Sequence, residues 1–204
     1  MGRQPSLSLR LDNPCMLSLS HILPSGGLLA RAVLVTLPLM ACSPVYDWRE
    51  LSLEGDLVVW LPCKAQVVSR DVPLLGQRWP MTVRACEAGG QRWAVSQIGG
   101  VPAAQREAVQ QALDAALAAN LAAPLPRAQV PVSSGLASAQ GVRSLELRGR
   151  RPDGAAMVVS LWSFAFGDQV GQASVMRAAD VAPDPAADEA RHTFFESLTL
   201  RRPG

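Results

Sequence analysis

The stretch Ala155–Phe166, AAMVVSLWSFAF, decides the fold, because it is a long run of apolar and β-branched residues between Gly154 and Gly167. Such a run is typical of a strand that is buried in a sheet. The two glycines make it too short to cross a membrane as a helix, which needs about 20 apolar residues. The stretch therefore predicts a central strand of a β-sheet.

Further strands are predicted on both sides of this stretch. Val142–Arg150 alternates apolar and polar residues, and a Pro-Asp-Gly turn at 152–154 separates it from the central strand. Gln169–Ala178 is predicted to be the next strand, with its valines partly buried. Alternation over a short segment indicates a half-buried strand, so these segments extend the predicted sheet.

The N-terminal half of the domain predicts four more strands. Asp56–Cys63 is a continuous apolar run that is typical of a buried strand, and Val67–Leu74 is a weaker candidate. Trp79–Glu87 and Gln91–Ile98 flank Gly89-Gly90. Two alternating segments around a pair of glycines predict a β-hairpin.

Two helices are predicted between and after the strands. Pro102–Ala122 has apolar residues four positions apart, which predicts a long amphipathic helix, and its polar face is predicted to include Gln110 and Asp114. Pro185–Ser197 predicts a C-terminal helix, and Leu198–Leu200 a short last strand.

These elements predict an α+β fold, an antiparallel β-sheet covered by one long amphipathic helix and a C-terminal helix. We expect one domain over residues 51–200, with a loop at Pro124–Gly141 and a frayed tail at 201–204. Residues 1–41 carry three of the 19 basic and one of the 17 acidic residues, so the remaining chain has 16 of each. A neutral domain has no broad field to attract nucleic acid, and no nucleic-acid partner is expected.

Upstream of the domain, Ala32–Cys42, AVLVTLPLMAC, follows Arg31 and contains no acidic residue. A basic flank, a short apolar core and small residues before a cleavage site are typical of a secretory signal. Two alternatives stay open, a buried helix that ends in a cysteine and a longer membrane span that includes 28–30. The leader is long, so translation starting at Met16 is a further alternative.

Leu39-Met40-Ala41-Cys42 resembles the lipobox of bacterial lipoproteins, whose cysteine becomes the first mature residue and carries acyl chains such as palmitate. The resemblance implies that residues 1–41 are removed, that Cys42 is lipidated and that 42–50 is a tether. Two or more acyl chains anchor a protein stably. Ser43 in the next position resembles lipoproteins that are held at the outer membrane and face the periplasm.

Cys63 and Cys86 are the other cysteines of the predicted mature chain, and each lies near the end of a predicted strand. An exported protein meets oxidising conditions, so we predict a disulfide between them, worth roughly 3 kcal/mol in the chain-entropy model. Two unpaired buried thiols are the alternative. A metal site is not expected, since two cysteines without a nearby histidine fall short of four ligands.

His192 is the one histidine of the predicted mature chain, and it follows Asp188 by four residues on a predicted helix. A Ser-His-Asp site also needs a serine in reach and an oxyanion hole, and no serine lies in a G-x-S-x-G motif. We interpret His192 as a surface residue and predict no catalytic residue. No Walker or dinucleotide glycine motif is present, so no cofactor is expected.

An arginine cluster and a pair of aromatic residues, both expected at the surface, each have two interpretations. Arg148, Arg150 and Arg151 precede the turn at 152–154 and are interpreted as a solvated hairpin end, with an anion site as the alternative. Tyr46 and Trp48 in the tether are interpreted as packing on the domain edge, with membrane contact as the alternative.

The order of elements carries a second resemblance: a strand that runs into Leu61-Pro62, a hairpin, a long helix, three strands and a closing helix that ends FFESLTL. Over about residues 47–200 this order resembles small proteobacterial envelope lipoproteins without an assigned activity. It is also similar to the PsbP/Mog1/LpqN-like α+β sandwiches, whose antiparallel sheet is covered by helices. The resemblance implies no active-site residues.

Taken together, the sequence predicts a lipid-anchored protein of the cell envelope that acts as a binding or interaction module and is not an enzyme. It would contact the membrane through Cys42 and an envelope protein through its sheet face or its loops. The alternatives are an envelope hydrolase that uses His192 and a purely structural surface lipoprotein.

Overall fold

The computed structural model describes residues 44–126, 135–182 and 184–201. The predicted signal, Cys42, Ser43 and part of the predicted Pro124–Gly141 loop lie outside the described residues. The described residues belong to one unit of the chain, Cys42–Gly204.

Strands make up about half of the described residues, and the predicted elements are found with ends that shift by a few residues. In chain order the elements are β1 (Arg49–Ser52), β2 (Leu57–Leu61), β3 (Gln66–Leu74), β4 (Gln77–Ala88), β5 (Gln91–Ile98), α1 (Arg106–Asn120), β6 (Gln140–Arg150), β7 (Ala156–Phe166), β8 (Gln169–Ala178), α2 (Pro185–Glu196) and β9 (Thr199–Leu200).

The larger sheet has six antiparallel strands in the order β3-β4-β5-β8-β7-β6. The N-terminal strands β3–β5 and the C-terminal strands β6–β8 each form a meander, and the two meanders join through β5 and β8. The prediction that Ala155–Phe166 is central is therefore wrong, because β7 lies next to the edge strand β6. The valines of β8, Val170 and Val175, are fully buried rather than partly buried.

A second, smaller sheet has the order β1-β2-β9, and it is also antiparallel. The predicted α+β class with antiparallel pairing is confirmed, but the strands form two sheets instead of one. The reason lies in β2, whose residues Leu57, Val59 and Leu61 are completely buried against the larger sheet. An apolar run signals this burial, but it does not show which sheet the strand joins.

The main core lies between the two sheets and includes α2. Trp93 of β5 meets Phe194 of α2 edge to face, with ring centroids 5.5 Å apart. Phe195 stacks on Trp162 of β7 at 4.9 Å. Aromatic pairs at these distances stabilise the packing beyond the area that they bury. They hold α2 and the smaller sheet together on one face of the larger sheet, here called the inner face.

Helix α1 crosses the opposite face, here called the α1 face. Its N-terminal half packs against Met81 and Ile98, and its C-terminal end packs against Leu147 and Val159 of β6 and β7. The helix ends beside β6, where Arg150 N donates to Leu121 O at 2.6 Å. Gly149 permits this approach, because a Cβ there would overlap the same carbonyl.

Both ends of the domain are held more firmly than the sequence indicated. Arg49 and Glu50 belonged to the predicted tether, yet they begin β1 and pair with β2. Arg201 belonged to the predicted frayed tail, yet its N–H donates to Asp56 O at 3.0 Å and its guanidinium binds Glu50. Residues 202–204 lie outside the described residues.

The predicted disulfide between Cys63 and Cys86 is present, with the two Cα atoms 5.9 Å apart. Cys63 follows β2 of the smaller sheet, and Cys86 lies in β4 of the larger sheet. The bond therefore fastens the two sheets to each other at one end of the domain.

Replacing both Cys63 and Cys86 with alanine should lower the free energy of unfolding by about 3 kcal/mol, because the unfolded chain regains the freedom of the loop. Urea unfolding followed by circular dichroism measures this change. The unmodified protein in the presence of reductant should match the double variant. A reductant that leaves its unfolding midpoint unchanged would contradict the assignment.

Candidate functional site

The α1 face is only partly covered by its helix. Six strands about 4.8 Å apart make a sheet about 24 Å wide, whereas a helix is about 10 Å across. Because α1 runs diagonally, it leaves bare the corner where β3, β4 and β5 meet the β4–β5 turn. On the outermost strand of this corner, Val68 of β3 is 56% exposed.

A groove runs along this bare corner beside α1. Its first part has a volume of about 520 Å³, and its second part, which extends towards the disulfide, has a volume of about 690 Å³. The two parts share Arg70, Val83, Ala94 and Met176. We call the whole the α1 groove. It is lined mainly by Val68, Arg70, Val72, Leu74, Met81, Val83, Ala85, Ala94, Ser96, Leu113, Leu117, Gln172, Ser174 and Met176, with Lys64 and Arg92 at the disulfide end.

Some charged side chains around the α1 groove form ion pairs, and Arg70 does not. Arg78 Nε lies 3.7 Å from Asp71 Oδ2, and Arg92 Nε lies 3.8 Å from Glu87 Oε1. Arg70, between the two parts of the groove, has no ion pair or side-chain hydrogen bond with any described residue. The groove thus combines an apolar floor with an unpaired cation, as ligand pockets with a few placed polar groups do.

A buried polar network lies under α1, beside the groove. The Asp114 carboxylate is 1% exposed and accepts hydrogen bonds from Gln172 Nε2 of β8 at 2.6 Å and from Arg143 Nε of β6 at 2.9 Å. Arg143 Nη2 lies 2.7 Å from the same carboxylate. A buried carboxylate needs such partners, because its transfer out of water is costly.

Gln110, one turn before Asp114, repeats the pattern. Its Nε2 donates to Ser163 Oγ of β7 at 3.0 Å and to the carbonyl of Gly141 at 2.8 Å. The prediction that Gln110 and Asp114 face solvent is therefore wrong. Their spacing of four residues puts them next to Val109 and Leu113 on one helix face, a signal that an apolar-only pattern does not use.

The residues proposed for catalysis are not brought together. His192 is exposed on α2, and Asp188 binds Arg191 at 3.0 Å instead of pairing with His192. Ser197 lines the same cleft as His192, and its hydroxyl donates to Phe194 O and accepts from Trp60 N. In the part of the chain that the structure describes, His192 has no hydrogen bond to a serine.

The arginines near the β6–β7 turn are bound within their own hairpin. Arg148 Nη2 lies 2.7 Å from Glu146 Oε1, and Arg151 Nη2 lies 2.8 Å from Asp153 Oδ2. Arg150 donates a hydrogen bond to the carbonyl of Gly154. These contacts agree with a solvated hairpin end. The disulfide pair Cys63–Cys86 is confirmed as described above, whereas the predicted lipidation site, Cys42, lies outside the described residues.

Tyr46 and Trp48 pack on the domain, as the sequence indicated. Their rings lie 6.1 and 6.4 Å from that of Trp93, both edge to face. The Tyr46 ring also lies against Gly89 in the β4–β5 turn, where a Cβ would collide with it. Burial, and secondly the carboxylate of Asp184, raise the pKa of the Tyr46 hydroxyl above its usual value of 10.0.

No helix among the described residues is long and apolar enough to span a membrane. Nor do these residues contain a cluster of three or more histidine, cysteine, aspartate or glutamate side chains that could hold a metal ion. No protein-family model matches the chain, and no curated protein matches it.

Replacing Asp114 with alanine should lower the free energy of unfolding by about 3–5 kcal/mol, because Arg143 is left buried without its counter-charge. Urea unfolding measures the loss. The double variant Asp114→Leu/Arg143→Met should recover part of it, since an apolar pair replaces the buried ion pair, although Gln172 loses its acceptor.

The control for this experiment is Asp153→Ala, which removes the exposed ion pair with Arg151 and should change stability by no more than about 1 kcal/mol. Equal losses for Asp114→Ala and Asp153→Ala would show that the buried network does not hold α1.

Tyr46 is the only tyrosine of the chain, so ultraviolet absorbance reports its ionisation directly. Its pKa should lie above 10.0 in the folded protein and fall partly in Asp184→Asn, which removes the charge but keeps a side chain that can cap α2. Above about pH 10 the unfolded chain ionises first, so the free energy of unfolding should fall as the pH rises through the folded pKa. A normal pKa would contradict the packing of Tyr46.

Proposed function

We propose that this protein is a lipid-anchored binding module of the cell envelope and that the α1 groove is its binding surface. The observation that carries the proposal is the groove itself, an apolar trough beside α1 with the unpaired Arg70 in its rim. A contiguous apolar patch that a fold leaves uncovered marks an interaction site more often than a packing defect.

The anchored location is supported by the sequence before the domain. Leu39-Met40-Ala41-Cys42 supplies the lipobox pattern, and Ser43 favours the outer membrane, facing the periplasm. The Cys63–Cys86 disulfide supports an oxidising compartment. The two-layer packing with helices on the sheets supports the proposed similarity to the PsbP/Mog1/LpqN-like sandwiches.

The anchor is tested by the intact mass of the protein, extracted from membranes of its own host in detergent without reductant. We expect a chain that begins at Cys42, heavier by its acyl groups and lighter by two hydrogens for the disulfide. The variant Cys42→Ser should lose the acyl mass and leave the membrane fraction. A mass that includes residues 1–41 would overturn the proposed anchor.

The groove is tested with a photo-crosslinking amino acid placed in turn at Val68 and at Val67. These neighbours on β3 are 56% and 59% exposed and point to opposite faces of the sheet, so they form a matched pair. We expect crosslinks to an envelope component from position 68 and not from position 67. Ala94→Trp, which fills the groove floor, should abolish them. Equal crosslinking from both positions would contradict a binding role for the groove.

A further inference from the structure

We infer that the α1 groove binds an anionic phospholipid of the membrane in which the chain is anchored, with an acyl chain along the floor and the phosphate at Arg70. The inference rests on the proposed function and names its ligand. It follows from the floor, the charges and the position of the groove relative to the tether.

The floor of the groove suits a flexible apolar chain. Val83 and Ala94 lie on the floor between Met81, which is level with Arg70 in the strand register, and Met176, which lies nearer the disulfide end. Methionine side chains adapt to varied apolar shapes because they are unbranched and polarizable. Volumes of about 520 and 690 Å³ fall in the range of small-molecule sites, about 300–1,000 Å³.

The charges select an anionic headgroup. Arg70 and Lys64 have no ion pair with any described residue, whereas the nearby acids Asp71 and Glu87 already face arginines. A guanidinium binds a phosphate through two parallel hydrogen bonds, so Arg70 can hold a phosphodiester in a fixed orientation. Arg70 lines both parts of the groove, which places the headgroup between two apolar troughs.

The groove opens at the end of the domain where the tether arrives. Tyr46 lies against Gly89 in the β4–β5 turn, and the Glu87–Arg92 pair closes the same hairpin one step further in. Cys42 is four residues before Tyr46, so a lipid anchor there is within about 14 Å of the Tyr46 backbone. The end of the groove with Lys64 and Arg92 thus lies near the membrane surface, where anionic headgroups attract lysine and arginine. Arg70 pairs with Met81 and lies further from the turn, by about 26 Å of strand.

A helix of a partner protein is the competing occupant, and Arg70 restricts it. A helix about 10 Å wide in the groove would cover the guanidinium, so it would need an acidic side chain at that position, because a buried unpaired charge is costly. An acyl chain is narrower and brings its own phosphate.

The test uses the purified full chain, anchored in vesicles of phosphatidylglycerol or of phosphatidylcholine, with the photo-crosslinker at Val68 and no other protein present. Mass spectrometry of the digested chain after irradiation should show phosphatidylglycerol joined at position 68, about tenfold more than at the control position Val67. Phosphatidylcholine should give less, because its headgroup carries no net negative charge.

Two variants decide the outcome. Arg70→Glu should reduce the phosphatidylglycerol adduct about tenfold, the effect of losing a charge-assisted hydrogen bond. Arg148→Glu, on the opposite edge of the same sheet, should leave it unchanged. Equal adducts at 67 and 68, or an adduct that survives both Arg70→Glu and Ala94→Trp, would overturn the inference.

The two proposals fail separately. A crosslink from Val68 to an envelope protein in cells, with no lipid adduct in vesicles, would overturn the phospholipid inference and leave the groove as a binding surface. The absence of both products would overturn the proposed binding surface as well.

Discussion

The carboxylate of Asp114 is the constraint on which the arrangement of this domain depends. It lies under α1 and is bound by Gln172 of β8 and Arg143 of β6, so the helix is tied to strands from the C-terminal half of the sheet. A helix held only by apolar contacts can shift along a sheet, but moving this one would leave a buried charge without its partners. The position of α1, and therefore the bare corner beside it, follows from these bonds.

The uncovered corner gives the domain two unlike faces. The inner face is closed by α2 and the smaller sheet, with Trp93 and Phe194 packed edge to face, and the disulfide locks the layers together. The α1 face keeps an apolar trough open to solvent at the end of the domain where Tyr46 packs. Because the inner face is rigidly packed, the strands of the α1 face are held in place. A ligand that binds to such a face requires little reorganisation of the protein.

Local patterns were sufficient to predict the helices and all the strands except β1, and β5 and β8 were predicted to the residue. The disulfide followed from counting cysteines in the predicted mature chain. Strand pairing and hydrogen bonds between segments that are distant in sequence could not be predicted. The apolar run of β2 showed burial but not its separate sheet, and Gln110 and Asp114 look solvent-facing until β6, β7 and β8 supply their partners. The α1 groove draws its lining from four strands and a helix, so no single stretch of sequence contains it.

The pairing of β2 with β9 has a consequence for the order in which the domain can assemble. Leu57 and Val58 find their strand partners at Leu200 and Thr199, and the carbonyl of Asp56 finds its donor at Arg201. While the chain is being made, the early strand therefore has one edge without a neighbour until the last of these residues is synthesised. Contacts between such distant positions form slowly. The smaller sheet is thus completed only after synthesis has passed residue 201.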